Sequence, residues 1–310
     1  MASLATSSFS LPKHLASGIW SKATTGSTVA ALSGSEPMLF GETQLMTFTT
    51  QPKAQFVAEG ATKSGTDPAF GTKTATPRKA QVTMRFNEEV QWADEDYQLG
   101  VLSALADSTS NALARALDLG IYHAINPLTG VALSGSPAKV LDTGNNVELT
   151  TSTVGTPDLV VETAAGLVIA DGYTPNGIAL DPSYAWSLAT ARYSDGRKKY
   201  PDLGLGVNVT NFEGLRASVS STVSAPEAAI VGGAYASSNP NVKAVLGDFT
   251  QIRWGVQRRI GVEKILYGDP DGQGDLKAKN QIALRAEVVY GWAIMDTDAF
   301  AVVKDAVTNV

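Results

Sequence analysis

The sequence predicts an α+β fold, and three patterns along the 310-residue chain carry that prediction. After Asp94, apolar residues recur at multiples of four positions, which is typical of a long helix. From Pro157 to about Ser194, helix-like and strand-like segments alternate over short distances. In the C-terminal part, two long runs alternate apolar and polar residues, as strands with one buried face do.

The N-terminal third predicts an arm followed by a projecting hairpin. Residues 1–40 are dominated by small polar residues without a sustained period, so we expect them to be extended or disordered until a partner binds them. Met1–Ser35 also has the Ser, Thr and Ala content of an organellar transit peptide, but it has no arginine, which favours the arm. Two strand-like runs, 46–49 and 82–86, flank the Pro- and Gly-containing polar stretch Gln51–Lys79. A loop of this length is usually functional.

The remaining elements follow in order. The apolar residues of the long helix are Tyr97, Val101, Leu105, Leu113, Leu117 and Ile121, and we expect about seven turns ending before Pro127. Pro157 opens a second helix, and Asp181 with Pro182 opens a third one, which carries Trp186. The apolar run Gly177–Leu180 between them predicts a buried strand. Residues 252–256 and 282–294 predict the strands of a returning sheet.

Composition excludes several classes of function. The net charge of −6 and the pI near 5.0 argue against a sequence-independent grip on nucleic acid, so any DNA is expected to be enclosed. Because the chain has no cysteine, thiolate chemistry is excluded, and only His14 and His123 could act as histidine bases. No apolar run reaches the roughly 20 residues that span a bilayer, so no membrane contact is expected.

The segment from Tyr267 to Lys279 superficially resembles a calcium loop. It holds Asp269, Asp271 and Asp275 among glycines, but it lacks the bidentate glutamate of an EF-hand. A polar hairpin turn is the expected structure, and neither a metal nor a cofactor is expected anywhere. A soluble α/β enzyme is also disfavoured, because the chain has no Gly-rich phosphate loop and no GxSxG motif.

Four short motifs in this order resemble a known family. They are Phe56–Ala61 followed by Lys63 and Asp67; Val82–Val90; Gly177–Pro182 with Trp186, Leu188 and Asp195–Arg197; and Val245–Phe249 with Gln281–Glu287, Gly291, Trp292 and Asp298–Phe300. Together with the order of elements, they resemble the major capsid protein of tailed bacteriophages, which has the Hong Kong 97 (HK97-like) fold. The resemblance covers about residues 40–304.

The resemblance implies a domain plan and a function. The expected parts are an N-terminal arm (1–42), an extended loop (43–92), a peripheral domain with a long spine helix (93–156), an axial domain (157–240) and the peripheral sheet return (241–310). Hexamers and pentamers would self-assemble, in the cytoplasm of the host bacterium, into the icosahedral shell of a virion that encloses double-stranded DNA. Expected partners are a separate scaffolding protein, because few residues precede the loop, a portal protein and a decoration protein. The alternative is an encapsulin-like nanocompartment shell of the same fold; a tail or decoration protein is disfavoured.

Some members of this family join their subunits covalently through a lysine and an asparagine, assisted by a glutamate. The resemblance places these roles at Lys63, Asn280 and Glu287. Seven residues of extended strand span about 23 Å, so one lysine cannot meet the asparagine and the glutamate of one chain, and such a site would combine different subunits. We expect these side chains to pack subunits without reacting and the protein not to be an enzyme; autocatalytic crosslinking is the alternative.

Overall fold

The computed structural model describes residues 26–50, 54–63, 65, 69–89, 95–149, 156–204, 209–225 and 241–305. In chain order, the elements are α1 (Thr28–Leu32), β1 (Thr43–Thr50), β2 (Ala69–Asn87), α2 (Glu95–His123), β3 (Asn146–Leu149), α3 (Pro157–Ala170), β4 (Gly177–Leu180), α4 (Pro182–Thr190), β5 (Asn211–Phe212), β6 (Leu215–Val219), β7 (Val242–Gly247), β8 (Ile252–Ile265), β9 (Gln281–Ile294) and β10 (Phe300–Asp305). This mixture of helices and strands confirms the predicted α+β class. None of the described helices is both long enough and apolar enough to cross a bilayer.

The first sheet is antiparallel, with strand order β1-β2-β9-β8. Every second residue of β9 from Ile282 to Ile294 was predicted to face a core, and several of them, including Val288 and Trp292, pack in the same buried cluster as α2. The hydroxyl of Tyr290 donates to the backbone oxygen of Leu113 on that helix, at 3.3 Å. The alternation therefore identified the face that packs against α2, but the other face is also buried at Ala283, Val289 and Ala293.

The predicted hairpin is formed by β1 and β2, but its strands extend further than the sequence indicated. β2 already begins at Ala69, inside the stretch expected to be loop. It pairs with β1 as far as Ala75 and with β9 only from Thr76 onward. Pro77 lies just beyond the last β1 pair, at an edge where a proline is tolerated.

The second sheet has six strands in the order β3-β10-β7-β4-β6-β5. Ile178 and Leu180 of the predicted strand β4 face helices α3 and α4, whereas Ala179 belongs to the cluster around α2. Helix α4, which begins at Pro182 as predicted, ends at Thr190. Because β3, β7 and β10 lie outside residues 157–240, this sheet draws on several parts of the chain, and the domain boundaries stay a prediction.

The long helix α2 connects both sheets. Its 29 residues correspond to about eight turns, which confirms the predicted spine helix. It ends at His123 because Ala124 adopts a left-handed backbone conformation with φ of 55°. Leu117 and Ile121 lie in a cluster that also contains Trp254 of the first sheet and Val245 of the second. One core therefore extends across both sheets.

The expectation that residues 1–40 are extended or disordered until a partner binds them is wrong for Ser27–Leu32, which form a capped helix that packs inside the chain. Helix α1 is short, and its N-terminus rests on the fully buried carboxylate of Asp118 in α2. That carboxylate accepts hydrogen bonds from the backbone N–H groups of Thr28 (3.0 Å) and Val29 (3.2 Å) and from the hydroxyl of Ser27. Thr222, after β6, donates its hydroxyl at 2.7 Å. A buried acceptor therefore satisfies the free N–H groups of the helix.

After α1, the chain forms a strap, residues 33–41, along the outer strand β8. The backbone N–H of Glu36 donates to the oxygen of Trp254 at 2.8 Å, and the Gln257 side chain donates to the oxygen of Gly41 at 2.9 Å. Close approach requires Gly255, since a Cβ there would lie 2.1 Å from the backbone oxygen of Glu36. The strap then crosses small residues on the sheet: Met38 clusters with Ala75 and Ala293.

We expect Asp118→Ala to destabilise the subunit by about 3 kcal/mol, because it leaves buried donors of Ser27, Thr28, Val29 and Thr222 without their acceptor. Chemical denaturation monitored by circular dichroism measures the change. Glu162→Gln, on the exposed face of α3, removes a charge without a buried partner and should stay within about 0.5 kcal/mol. Equal stability of both variants would contradict the anchoring role of Asp118.

A matched pair of helical glycines tests the packing of α2 against the first sheet. A Cβ at Gly120 would lie 2.9 Å from the ring of Trp292, whereas a Cβ at Gly166 in α3 meets nothing within 4 Å. Gly120→Ala should therefore cost about 1–3 kcal/mol through overpacking. Gly166→Ala should instead stabilise by about 0.5–1 kcal/mol through helix propensity. Thermal melts of the two variants should shift in opposite directions; a shift in the same direction would contradict the packing.

Candidate subunit-contact surfaces

The hairpin carries apolar side chains that its own chain does not bury. Phe56 is fully exposed in the hairpin tip, residues 54–63, and Met46 and Phe70 are largely exposed on the ladder below it. The tip turns at Ala58–Ala61, where the backbone N–H of Ala61 donates to the oxygen of Ala58 at 3.1 Å. Exposed apolar groups concentrated on one projection indicate a surface that another chain covers.

Lys63 lies at the end of this tip, with its side chain exposed. Asn280 lies at the opposite end of the first sheet's β9, directly before its first residue, in a left-handed conformation that closes a 3-10 turn. Asparagine is enriched at such backbone positions, so a turn role accounts for its identity. Its backbone oxygen accepts from the N–H of Glu88 at 2.8 Å.

Glu287 lies in the middle of β9, and its side chain is only 11% exposed. It forms an ion pair with Lys79 of β2, with Nζ and Oε1 2.7 Å apart. Lys79 is the diagonal neighbour of Glu287 on the adjacent strand. Within one chain, Asn280 and Glu287 are separated by about 23 Å of strand, so a single subunit does not bring the three candidates together.

The acidic loop after β8, which contains Asp269 and Asp271, binds the side chain of Arg85. The guanidinium of Arg85 donates to Asp269 at 2.8 Å and to Asp271 at 2.7 Å, and it also donates to the backbone oxygen of Gly274 at 2.8 Å. The hydrogen bond and the charge of Asp271 raise the pKa of Arg85, and the same contact lowers the pKa of Asp271. The calcium-like pattern is therefore a guanidinium-binding turn, as the preference for a polar turn implied.

The structure describes one of the two histidines, His123. His14 lies outside the described residues. His123, at the end of α2, is buried, and one ring nitrogen lies 3.0 Å from the backbone oxygen of Val223. Burial lowers its pKa to about 4, so the ring is neutral at physiological pH. This environment gives His123 a structural role in holding the 220–225 segment against the helix.

A second group of exposed apolar side chains lies on the α3–α4 side of the second sheet. Leu159 and Tyr193 flank the ion pair between Lys199 and Asp158, whose Nζ and Oδ2 atoms are 2.8 Å apart. The ammonium of Lys199 also lies 5.8 Å from the ring centroid of Tyr193. Trp186 of α4, predicted as part of this helix's apolar pattern, is about half exposed.

No sequence pattern predicted the exposure of four large apolar residues, Leu39, Phe40, Leu128 and Val131. They lie in turns and in the strap, where no periodic pattern marks a face. The available signal was compositional: large apolar side chains within turn-rich segments have no core of their own to enter.

Comparisons with known proteins agree with this architecture. The Phage capsid family model matches residues 8–305. A solved chain from Mycobacterium phage Ogopogo is 53% identical, with a TM-score of 0.81 over 90% of this chain and 92% of that one. A chain from Gordonia phage Cozz is 31% identical, with a TM-score of 0.74 over 90% and 86% of the two chains. A search of curated proteins found no match.

More distant structures share the fold alone. The structure titled "Capsid of native GTA particle computed with C5 symmetry" is 16% identical, with a TM-score of 0.59 over 92% of this chain and 90% of that one. The family and the phage relatives favour a phage head shell over the nanocompartment shell considered from the sequence. The match over nearly the whole chain means that this protein belongs to the phage capsid family, as a major capsid protein of the Hong Kong 97 fold that forms the head shell.

Proposed function

We propose that the chain builds its shell from hexamers and pentamers, in which the hairpin of each subunit lies on a neighbouring subunit. The observation that carries this proposal is the exposure of Phe56, Met46 and Phe70 on a projection that contributes little to the core of its own chain. Burying these side chains between subunits would couple assembly to the removal of apolar surface from water.

The proposed partners follow from the shell. A portal protein would occupy one vertex, a separate scaffolding protein would guide assembly in the cytoplasm of the host bacterium, and a decoration protein could bind the finished surface. Double-stranded DNA would be enclosed without sequence-specific contact, which is consistent with the net charge of −6. The division into arm, extended loop, peripheral domain and axial domain belongs to the same proposal.

We further propose that Lys63, Asn280 and Glu287 contribute to packing without a covalent bond. A lysine must lose its proton before it can attack an amide, which requires a buried, apolar environment. Lys63 is exposed in the isolated subunit, and Glu287 is already paired with Lys79. These local contacts support ordinary structural roles for all three residues.

Shortening the hairpin should abolish the shell without unfolding the subunit. Met46 and Thr72 are directly paired, so an Asn-Gly turn can join them and replace residues 47–71. Electron microscopy of the full chain, expressed together with its neighbouring head-assembly genes, should show closed particles, and the shortened chain under the same conditions should show none. Chemical denaturation should show that the shortened chain still unfolds in one cooperative transition, because the removed part lies outside the two large buried clusters. Normal shells from the shortened chain would overturn the proposed role of the hairpin.

Boiling assembled shells in detergent and denaturant should give a single band near the subunit mass of 32.4 kDa. Lys63→Arg keeps the charge but removes the primary amine, so its shells provide the matched control. A ladder of larger species in the original protein that disappears in Lys63→Arg would show that the subunits are covalently joined, contrary to the proposal.

A further inference from the structure

One asparagine of the sequence is followed directly by glycine, and this pair, Asn176–Gly177, lies at the start of β4. In such a pair, the backbone nitrogen of the glycine can attack the side-chain carbonyl carbon of the asparagine, because no side chain on the following residue shields that carbon. A bond forms between Cγ of Asn176 and the nitrogen of Gly177, ammonia leaves, and a five-membered imide remains. Water then opens the imide to aspartate or isoaspartate. Asn176 is therefore the asparagine of the chain most prone to spontaneous deamidation.

Packing requires the glycine of this pair. A Cβ at position 177 would lie 2.9 Å from the ring of Phe249 and 3.3 Å from the side chain of Leu32 in α1. Both neighbours are buried and belong to the cluster around α2. Because such a core is close-packed, neither side chain can move aside without cost. Any residue larger than glycine at position 177 would therefore displace Phe249 or the helix α1.

Hydrogen bonding requires the asparagine. Its Nδ2 group donates to Oδ1 of Asp248 at 2.6 Å, and its Oδ1 accepts from the backbone N–H of Phe249 at 2.9 Å. An amide supplies a donor and an acceptor together, whereas an ionised aspartate would place a second carboxylate against Asp248. The two contacts join the start of β4 to the turn after β7. Independent constraints therefore select both residues of the labile pair.

The same contacts restrain the two reacting atoms. Ring closure requires the Asn176 side chain to rotate toward the nitrogen of Gly177, so the hydrogen bonds to Asp248 and Phe249 must break first. The nitrogen is also restrained, because Gly177 is buried in the second sheet between Arg216 of β6 and Gly247 of β7. A misplacement of about 1 Å slows a reaction between positioned groups by about a hundredfold.

The surroundings of Asn176 are acidic. Burial, the hydrogen bond to Asp296 and the charges of Asp298 and Asp248 raise the pKa of the nearby Tyr173 to about 12. The attacking nitrogen must lose its proton, and nearby negative charge opposes that loss. Deamidation would add a further carboxylate to this group, directly against Asp248. The product would therefore repel the turn that Asn176 now holds.

We propose that Asn176–Gly177 is a site of spontaneous deamidation, and that Asp248 and the N–H of Phe249 keep it intact in the folded subunit. Asp248 is a positioning residue, because it holds the amide and takes no part in the reaction. Deamidation would replace the hydrogen bond to Asp248 with repulsion between two carboxylates and loosen the start of β4. The reaction needs no neighbouring subunit, so this inference is independent of the proposed shell contacts.

Comparing the folded chain with the unfolded chain tests the restraint without any substitution. Purified protein is incubated at neutral pH, with and without guanidinium chloride, and digested with trypsin. Mass spectrometry measures deamidation in the peptide 140–192, and an isoaspartyl methyltransferase labels isoaspartate. Asn176 should convert about a hundredfold more slowly in the folded chain. Equal rates in the two states would overturn the proposal.

Two substitutions in the turn separate the Asp248 contact from a general loss of stability. Asp248→Ser keeps a side-chain acceptor for the N–H of Thr250 but removes the carboxylate that holds Asn176, so deamidation in the folded chain should be about tenfold faster. Thr250→Val removes a hydroxyl that donates to the same carboxylate oxygen at 2.7 Å, and its rate should stay within about twofold of the original. An equal acceleration in both variants, or in neither, would contradict the role of Asp248.

The product of the reaction can also be made directly. Asn176→Asp should lower the melting temperature by a few degrees, because it replaces a donor to Asp248 with a carboxylate. Asn211→Asp is the matched control and should leave the melting temperature unchanged, since the exposed Asn211 accepts from the N–H of Gly214 at 3.2 Å and aspartate keeps that acceptor. Equal melting temperatures of Asn176→Asp and the original chain would show that deamidation does not loosen β4.

Discussion

The carboxylate of Asp118 accepts hydrogen bonds from the start of α1 and from Thr222, and it is itself carried by α2, so three distant parts of the chain meet at one buried group. Burial raises the pKa of Asp118, and the hydrogen bonds from Ser27, Thr222 and the N–H groups of α1 oppose that shift. Together with the buried side chains of Val29 and Leu32, this acceptor holds α1 between α2 and the second sheet. The course of the strap, and the starting point of the hairpin after it, follow from that anchor.

The two edge strands of the first sheet differ, because the strap covers part of β8 whereas no segment of the described chain covers β1. On one side of the first sheet, Glu36 and Gly41 hold the strap along β8 and cover part of an edge that would otherwise invite pairing with another chain. On the other side, β1 and the tip extend away from the core with their apolar residues uncovered. The chain therefore covers the strand edge at β8 itself and leaves the apolar side chains of the hairpin exposed.

Sequence patterns predicted the elements whose residues face a core with a regular period. The spine helix, β4 and β9 were found because Leu117, Ile178 and Tyr290 belong to such patterns. Asp118 could not be recognised, since a polar residue between apolar helix positions normally indicates a solvated face. The hydrogen bonds from the Arg78 guanidinium to the backbone oxygen of Ser134 were equally unpredictable, because these two residues meet only through tertiary structure. Lys63, Asn280 and Glu287 were proposed through family resemblance, and their roles depend on neighbours that a single chain does not contain.

Strand β2 pairs first with β1 and then with β9. Ala75 is the last residue paired with β1 and Thr76 the first paired with β9, so no residue of β2 has a strand on both sides. A ribbon held on one side at a time resists bending less than the interior of a continuous sheet. The hairpin can therefore incline at its root while each ladder stays intact. In the proposed shell, such an inclination would let identical subunits meet differently placed neighbours by changing one angle at the peptide step between Ala75 and Thr76.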